Sequence, residues 1–208
     1  MFQRISRICL VVACIFVTMG LSCNSVPDRV HPPKYASGAG SAAMGQYDTN
    51  SDGKVSGDEL DAAPSLKMSM DTLDTNGDGA VDAGEVDARV NSWLDSKVGR
   101  MGAQIILKRG SKYLEGATVE LIPEQFLGTG LKPAKGVTGP YGDVLPDAPA
   151  DPDRPEINAG VAPGFYLIRI TKDGENLPAK FNTSTIYGVE VANDSKYANE
   201  PLEIDLNK

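Results

Sequence analysis

The stretch Asp48-Thr49-Asn50-Ser51-Asp52-Gly53-Lys54-Val55-Ser56-Gly57-Asp58-Glu59 returns 26 residues later as Asp74-Thr75-Asn76-Gly77-Asp78-Gly79-Ala80-Val81-Asp82-Ala83-Gly84-Glu85. Both follow D-x-[DN]-x-[DN]-G-x5-E at every fixed position. Oxygen-bearing side chains stand at alternate positions, a glycine follows where the chain must turn sharply, and a glutamate closes each segment. A hard cation such as Ca2+ wants six to eight oxygens at roughly 2.3–2.6 Å, and this arrangement offers them. Two complete matches are hard to obtain by chance; the alternative is a pair of Asp/Asn/Gly turns with no ion.

The segments resemble EF-hand calcium loops. The resemblance implies two Ca2+ ions and assigns the ligands. In the first loop these are Asp48, Asn50, Asp52, the backbone carbonyl of Lys54, Ser56 directly or through water, and Glu59 with both oxygens. In the second they are Asp74, Asn76, Asp78, the carbonyl of Ala80, Asp82 and Glu85. Val55 and Val81 stand where paired EF-hands form a short β-bridge. The second loop has four acidic ligands and no cation, against three and Lys54 in the first, so the second is expected to bind more tightly.

The spacing is tight. Only the 14 residues Leu60 to Leu73 separate Glu59 from Asp74, and they must hold one exit and one entry helix. Pro64 ends the first, because the residue before proline avoids the helical region. A second helix is expected over Leu66 to Leu73, with Met68 and Met70 as core filling. Gly38, Gly40 and Gly45 weaken any helix before Asp48. After Glu85, Val86, Val90, Trp93 and Leu94 fall on one apolar helical face. A pair this small has too few large apolar residues to open a target groove as sensor EF-hands do.

Arg4 and Arg7 precede an uncharged stretch from Ile8 to Leu21, 14 residues long, too short to span a bilayer and suited to a signal segment over residues 1–22. Gly20-Leu21-Ser22-Cys23 resembles a bacterial lipoprotein signal, which implies lipidation of Cys23, a membrane anchor and an exported protein facing the periplasm or the cell surface. The alternatives are plain secretion after cleavage nearby, or a retained anchor. Cys9 and Cys14 lie inside the leader, so the mature chain would hold one Cys and no internal disulfide. Outside the cytoplasm weak calcium sites are filled, which favours structural calcium over signalling. Residues 23–40, with Pro27, Pro32 and Pro33, read as a tether. It contains the single histidine, His31, read as solvated.

The formal charge is −8, and loss of Arg4 and Arg7 would take it to −10. Residues 41–97 carry 12 acids and 4 bases, so the acidity is concentrated around the loops. No basic face exists to bind nucleic acid. With one histidine, no Ser-His-Asp or Cys-His arrangement is available, and the chain is read as non-enzymatic.

From Gly102 the texture turns to short strands: Ala103–Lys108, Ala117–Ile122, Ala134–Thr138, Gly142–Leu145, Phe165–Ile170 as a central strand, Ile186–Val191 and Leu202–Leu206. The segments Leu114-Glu115-Gly116-Ala117-Thr118-Val119, Gly136-Val137-Thr138-Gly139-Pro140-Tyr141-Gly142 and Val161-Ala162-Pro163-Gly164-Phe165-Tyr166-Leu167-Ile168 resemble carboxypeptidase regulatory-like domains. That resemblance implies a transthyretin-like (prealbumin-like) antiparallel β-sandwich and no catalytic residues, although Gly139 stands where that family has Asp. Phe181 to Thr185 is either a ligand loop or, by preference, a surface turn. Pro146 to Gly160, with Asp147, Asp151, Asp153 and Glu156, reads as an insertion loop.

The expected fold class is α+β in two domains, an EF-hand pair over 41–98 and a sandwich of about seven strands over 102–208. The expected function is structural calcium binding in an exported protein. The alternative is a calcium-supported adhesion or carbohydrate-binding module with a cell-surface protein or glycan partner.

Overall fold

The computed structural model of the chain describes residues 33–150 and 159–208. The leader, Cys23, His31, the tether up to residue 32, and Asp151, Asp153 and Glu156 lie outside the described residues.

Helix α1 (Ala39–Tyr47) forms despite its glycines. Gly40 is there for contact: a Cβ on it would lie 1.9 Å from the carbonyl oxygen of Ala83, and its N–H donates to Asp87 Oδ1 at 2.8 Å. The first loop follows and leads into β1 (Lys54–Val55), then α2 (Asp58–Ala62). Helix α3 (Pro64–Lys67) opens on Pro64, whose missing N–H costs nothing at that position.

The single helix expected over Leu66 to Leu73 is broken in two, with α4 (Met70–Leu73) separate from α3. Ser69 is the cause. Its hydroxyl donates to the Ser65 carbonyl at 2.7 Å, while its N–H turns to Leu66 O at 3.0 Å. A serine bonding back to residue i−4 competes with the helical ladder for that acceptor.

The second loop passes through β2 (Val81–Asp82) into α5 (Ala83–Ser96). Asp82 and Glu85 form a capping box at its start, satisfying two end donors of the longest helix. Val86, Val90 and Trp93 are buried as their spacing predicts, but Leu94 is 37% exposed. Arg89, 9% exposed, extends the buried face on the flank opposite Leu94, where the facing surface carries carboxylates.

The C-terminal half consists of β3 (Ile105–Arg109), β4 (Lys112–Tyr113), β5 (Ala117–Pro123), β6 (Ala134–Val137), β7 (Asp143–Val144), β8 (Gly164–Lys172), β9 (Gly188–Val191) and β10 (Leu202–Asp205). One sheet has the order β6-β5-β8-β9, antiparallel throughout, with β8 interior. The other pairs β10, β4 and β7 with β3. The fold is α+β, with two departures from expectation among the described residues. The short β4 raises the strand count from seven to eight. And β10 runs parallel to β3, because the chain leaves β9 in one sheet and crosses to the other before pairing. Phe181, considered as a ligand-loop residue, is 1% exposed and stacked on Tyr187 at 5.7 Å, so it anchors its turn to the core.

One cluster of buried hydrophobics runs from Ala39 to Ile204 and includes Leu66, Leu73 and Trp93 together with Phe165, Ile168 and Val191. Met68 and Met70 pack against it, as expected of core filling. Strand β9 meets α3 backbone to backbone: a Cβ on Gly188 would come within 2.4 Å of Ser65. Trp93 packs edge-on against Phe165, centroids 4.8 Å apart. Two buried glutamates lie in this joint. Glu190 on β9, 3% exposed, accepts from Arg89 Nε at 2.5 Å, Trp93 Nε1 at 3.0 Å and Thr72 Oγ1 at 2.7 Å. Glu124, 2% exposed, accepts from Ser65 Oγ at 2.5 Å, Tyr47 Oη at 2.8 Å and Gln46 Nε2 at 3.3 Å. Among the described residues every buried side-chain nitrogen or oxygen has a partner.

Two predictions follow from these contacts. Helix propensity alone would have Gly40→Ala stabilise by about 1 kcal/mol. The clash is with backbone, which cannot rotate aside, so a net loss of about 1–2 kcal/mol is expected in urea unfolding. The second concerns Glu124. Burial pushes the pKa of the Glu124 carboxyl above its ordinary 4.5, and the bonds from Ser65, Tyr47 and Gln46 offset this only in part. A raised value means the folded state holds the proton more tightly. That contribution is complete below the unfolded value and is lost as pH rises through the folded one. Melting temperatures of calcium-free wild type and Glu124→Gln, compared from about pH 4 to about pH 8, should therefore diverge, the variant gaining on the wild type as pH rises.

Candidate metal centre

The two loops repeat one hydrogen-bonded cage. In the first, Asp48 caps α1 and accepts from the Gly53 N–H at 2.9 Å; in the second, Asp74 caps α4 and accepts from the Gly79 N–H, also at 2.9 Å. Asn50 Oδ1 accepts from Asp52 N at 2.8 Å, and Asn76 Oδ1 from Asp78 N at 2.9 Å. Asp52 Oδ1 accepts from Lys54 N and Asp78 Oδ1 from Ala80 N, both at 3.0 Å. The closing glutamates fold inward: Glu59 Oε1 accepts from Thr49 N at 2.8 Å and Glu85 Oε1 from Thr75 N at 2.9 Å. Their second oxygens accept from Ser56 N and Asp82 N, each at 3.1 Å. Gly53 and Gly79 have φ of 86° and 79°, left-handed backbone that a side chain would strain.

Local sequence accounts for this cage. Asp and Asn side chains reach backbone N–H groups two residues on, so alternate Asp/Asn positions coil the chain around a common centre. The loops are joined by β1 and β2, with Val55 opposite Val81 and Lys54 opposite Asp82.

The donor set suits calcium. Carboxylate oxygens of Asp48, Asp52 and Glu59 lie within 4.8 Å of one another, close enough to share one ion. Glu59 is a readily ionised acid, held below the ordinary range chiefly by the Ser56 N–H and also by the N–H groups of Asn50 and Thr49. Ser56 and Lys54 sit in or beside β1, and Ala80 and Asp82 in or beside β2. Asp82 Oδ1 also accepts from Glu85 N at 2.9 Å as the helix cap, which orients it. A bound cation would replace mutual repulsion among these carboxylates by attraction to one centre.

The loops differ at one point. Lys54 of the first loop extends across the pair, and its Nζ lies 2.5 Å from Asp78 Oδ2 of the second. The hydrogen bond from Lys54 is the main reason Asp78 is held below the usual carboxylate range, and its counterpart raises the lysine. The sequence assigned Lys54 to the loop in which it stands and counted the second loop as free of cations. Its charge in fact faces the second loop, which removes one of the two grounds for tighter binding there and leaves the count of four acidic ligands against three. The facing of Lys54 and Asp82 across the expected Val55–Val81 bridge was the available signal.

A family model of the EF hand matches residues 42–62 and 68–87, well under half of the chain. No curated protein and no solved structure matches it. Two EF-hand segments are thus present, and they indicate calcium binding. What sequence reasoning did not find are the long-range bonds that Thr72 and Arg89 make to Glu190, and Tyr47 and Ser65 to Glu124, around the loops.

Lys54→Met keeps the backbone carbonyl and removes the competing ammonium. It should raise the calcium affinity of the second loop about two- to five-fold, an exposed pair being worth little, with a smaller gain in the first. The amides of Gly53 and Gly79, each bonded to its own loop's first aspartate, read the two sites separately in an NMR titration.

Proposed function

We propose that the protein is a non-enzymatic calcium-binding protein that takes two ions, held by Asp48, Asn50, Asp52, Lys54, Ser56 and Glu59 and by Asp74, Asn76, Asp78, Ala80, Asp82 and Glu85, and that calcium serves mainly to stabilise the fold. The observation that carries this is the same inward-facing cage built twice, with the flanking helices packed into the core of the β half. An EF-hand sensor acts by swinging its helices apart to expose an apolar groove. Here α3 already lies against β8 and β9, Trp93 of α5 packs on Phe165 of β8, and α4 is bonded to β9 through Thr72 and Glu190. Opening would strip buried apolar surface and the carboxylates of Glu124 and Glu190 of their partners.

The Arg4/Arg7 leader and Gly20-Leu21-Ser22-Cys23 support an exported protein lipidated on Cys23. Among the described residues no helix is long and apolar enough to cross a membrane. Two four-stranded sheets with inward Ile105, Leu107, Val119 and Leu121 support the prealbumin-like sandwich. In such a protein calcium would fix the helical segment against the sheet. At free calcium a hundred times Kd, each site would add about 2.7 kcal/mol to stability.

One observation favours the second reading, a carbohydrate- or surface-binding module. Tyr113 and Tyr141 are 56% and 72% exposed and stand edge to face, centroids 6.5 Å apart. Paired open tyrosines give a sugar ring an apolar face to stack on.

Calorimetric titration of Ca2+ into chelator-treated protein, with a melt at each end, tests the leading reading. Two sites and a melting point raised by several degrees are expected, with Kd near 10⁻⁴–10⁻³ M. Micromolar affinity would favour a sensor, and absence of both heat and stabilisation would sink calcium binding.

A further inference from the structure

We infer that Glu190 and Glu124, two glutamates of the β half, are positioning residues for the calcium loops: Glu190 ties together both helices that flank the second loop, and Glu124 ties the end of α1 to α3 just beyond the first loop's exit helix, so the β half sets how tightly each loop binds its ion. The inference rests on the calcium reading above and extends it to residues far from the loops in sequence.

Consider the second loop. Its first ligand, Asp74, follows α4 directly, and its last, Glu85, lies in the first turn of α5. The two must converge on one ion, so the separation of α4 and α5 governs the site. Both helices are fastened to the same carboxylate. The hydroxyl of Thr72, two residues before Asp74, lies 2.7 Å from Glu190 Oε2 and 2.9 Å from Ser69 O, and its single proton goes to the closer, charged acceptor. Arg89 and Trp93, on α5, donate to Glu190 Oε1 at 2.5 and 3.0 Å. Arg89 is itself held from the other side by a fork onto Asp194, with Nη2–Oδ1 at 2.7 Å and Nη1–Oδ2 at 2.9 Å. Neither helix can shift without stretching a bond to a carboxylate that is shut off from water.

The first loop has the same plan. Tyr47 is the last residue of α1 and immediately precedes Asp48; its hydroxyl donates to Glu124 at 2.8 Å. Ser65 of α3, which follows the exit helix α2 after a single residue, donates to the other oxygen of Glu124 at 2.5 Å. One carboxylate of the β half, Glu190 on β9 or Glu124 directly after β5, thus lies between the entry and exit sides of each loop. Because coupling is reciprocal, calcium in a loop tightens the same joint that the glutamate holds for it.

A glutamate that only stabilised the fold would, when changed, weaken both loops alike. The positioning role is loop-specific, and that separates the two. The test is an NMR titration of the whole protein with CaCl2, following the Gly53 and Gly79 amides. Thr72→Val and Glu190→Gln should raise the midpoint at Gly79 on the order of five-fold, with a clearly smaller change at Gly53. Tyr47→Phe should do the reverse. In calcium-free protein the Leu73 and Asp74 amides should exchange faster in Thr72→Val. Equal shifts at both glycines, or no shift in folded variants, overturns the inference. If Glu190→Gln does not fold, Thr72→Val decides, since it deletes one hydroxyl and leaves Arg89, Glu190 and Trp93 in place. A wild type whose Gly53 and Gly79 amides ignore calcium would sink the calcium reading and this inference with it, a result distinguishable from folded variants with unaltered midpoints.

Discussion

The ion pair of Arg89 with Glu190 is the constraint on which the arrangement of the two halves depends. Both side chains are nearly closed to solvent, and a charge taken from water costs several kcal/mol unless it is fully partnered. Burial works against the Arg89 charge, but hydrogen bonds to Asp194 and Glu190 outweigh it and hold the guanidinium firmly protonated. Trp93 and Thr72 supply the remaining donors to Glu190, so α4, α5 and β9 have one mutual placement in which all charges are met. Losing Arg89 would leave the Glu190 carboxylate buried with only the neutral donors Trp93 and Thr72, a loss of about 3–5 kcal/mol, whereas Arg89 without Glu190 keeps its fork onto Asp194. The pair therefore specifies geometry more than it adds stability. Glu124 does the same for α1 and α3 without a cation, relying on three hydrogen-bond donors.

Beside this joint, the loops concentrate negative charge. Twelve carboxylates lie between residues 41 and 97, and the first loop brings those of Asp48, Asp52 and Glu59 within 4.8 Å of one another. Backbone N–H groups blunt the repulsion in each cage, and Lys54 blunts it at Asp78. Neither supplies a full counter-charge to a cluster of three or four acids. A divalent ion would.

Much of this was legible in the sequence where the determining contacts are local. All ligands of each loop fall within twelve residues, so alternation of Asp and Asn, the turning glycine and the closing glutamate state the cage outright. Pro64 marked a helix boundary because its ring acts on its immediate neighbour. Strands β3, β5, β8 and β10 announced themselves by alternation and β-branched residues. Errors came where one residue answers to two demands. Ser69 broke a helix that its neighbours favoured, and Arg89 extended the buried face on the flank opposite Leu94, where the surface it meets is acidic. Gly40, counted against α1, is what lets α1 and α5 touch.

The sequence by itself determined that the chain carries two EF-hand loops and a β-rich half, since periodicity and short-range hydrogen bonding are written in neighbouring residues. Only the tertiary structure decided that Lys54 answers Asp78, that β10 pairs parallel to β3, and that Glu124 and Glu190 are buried acceptors instead of surface acids. Glu190 sits between valines in a strand whose alternation would send it to solvent if one face were open. It is buried because helices cover that face as well, and which helix covers which strand depends on contacts about a hundred residues apart that no local pattern encodes.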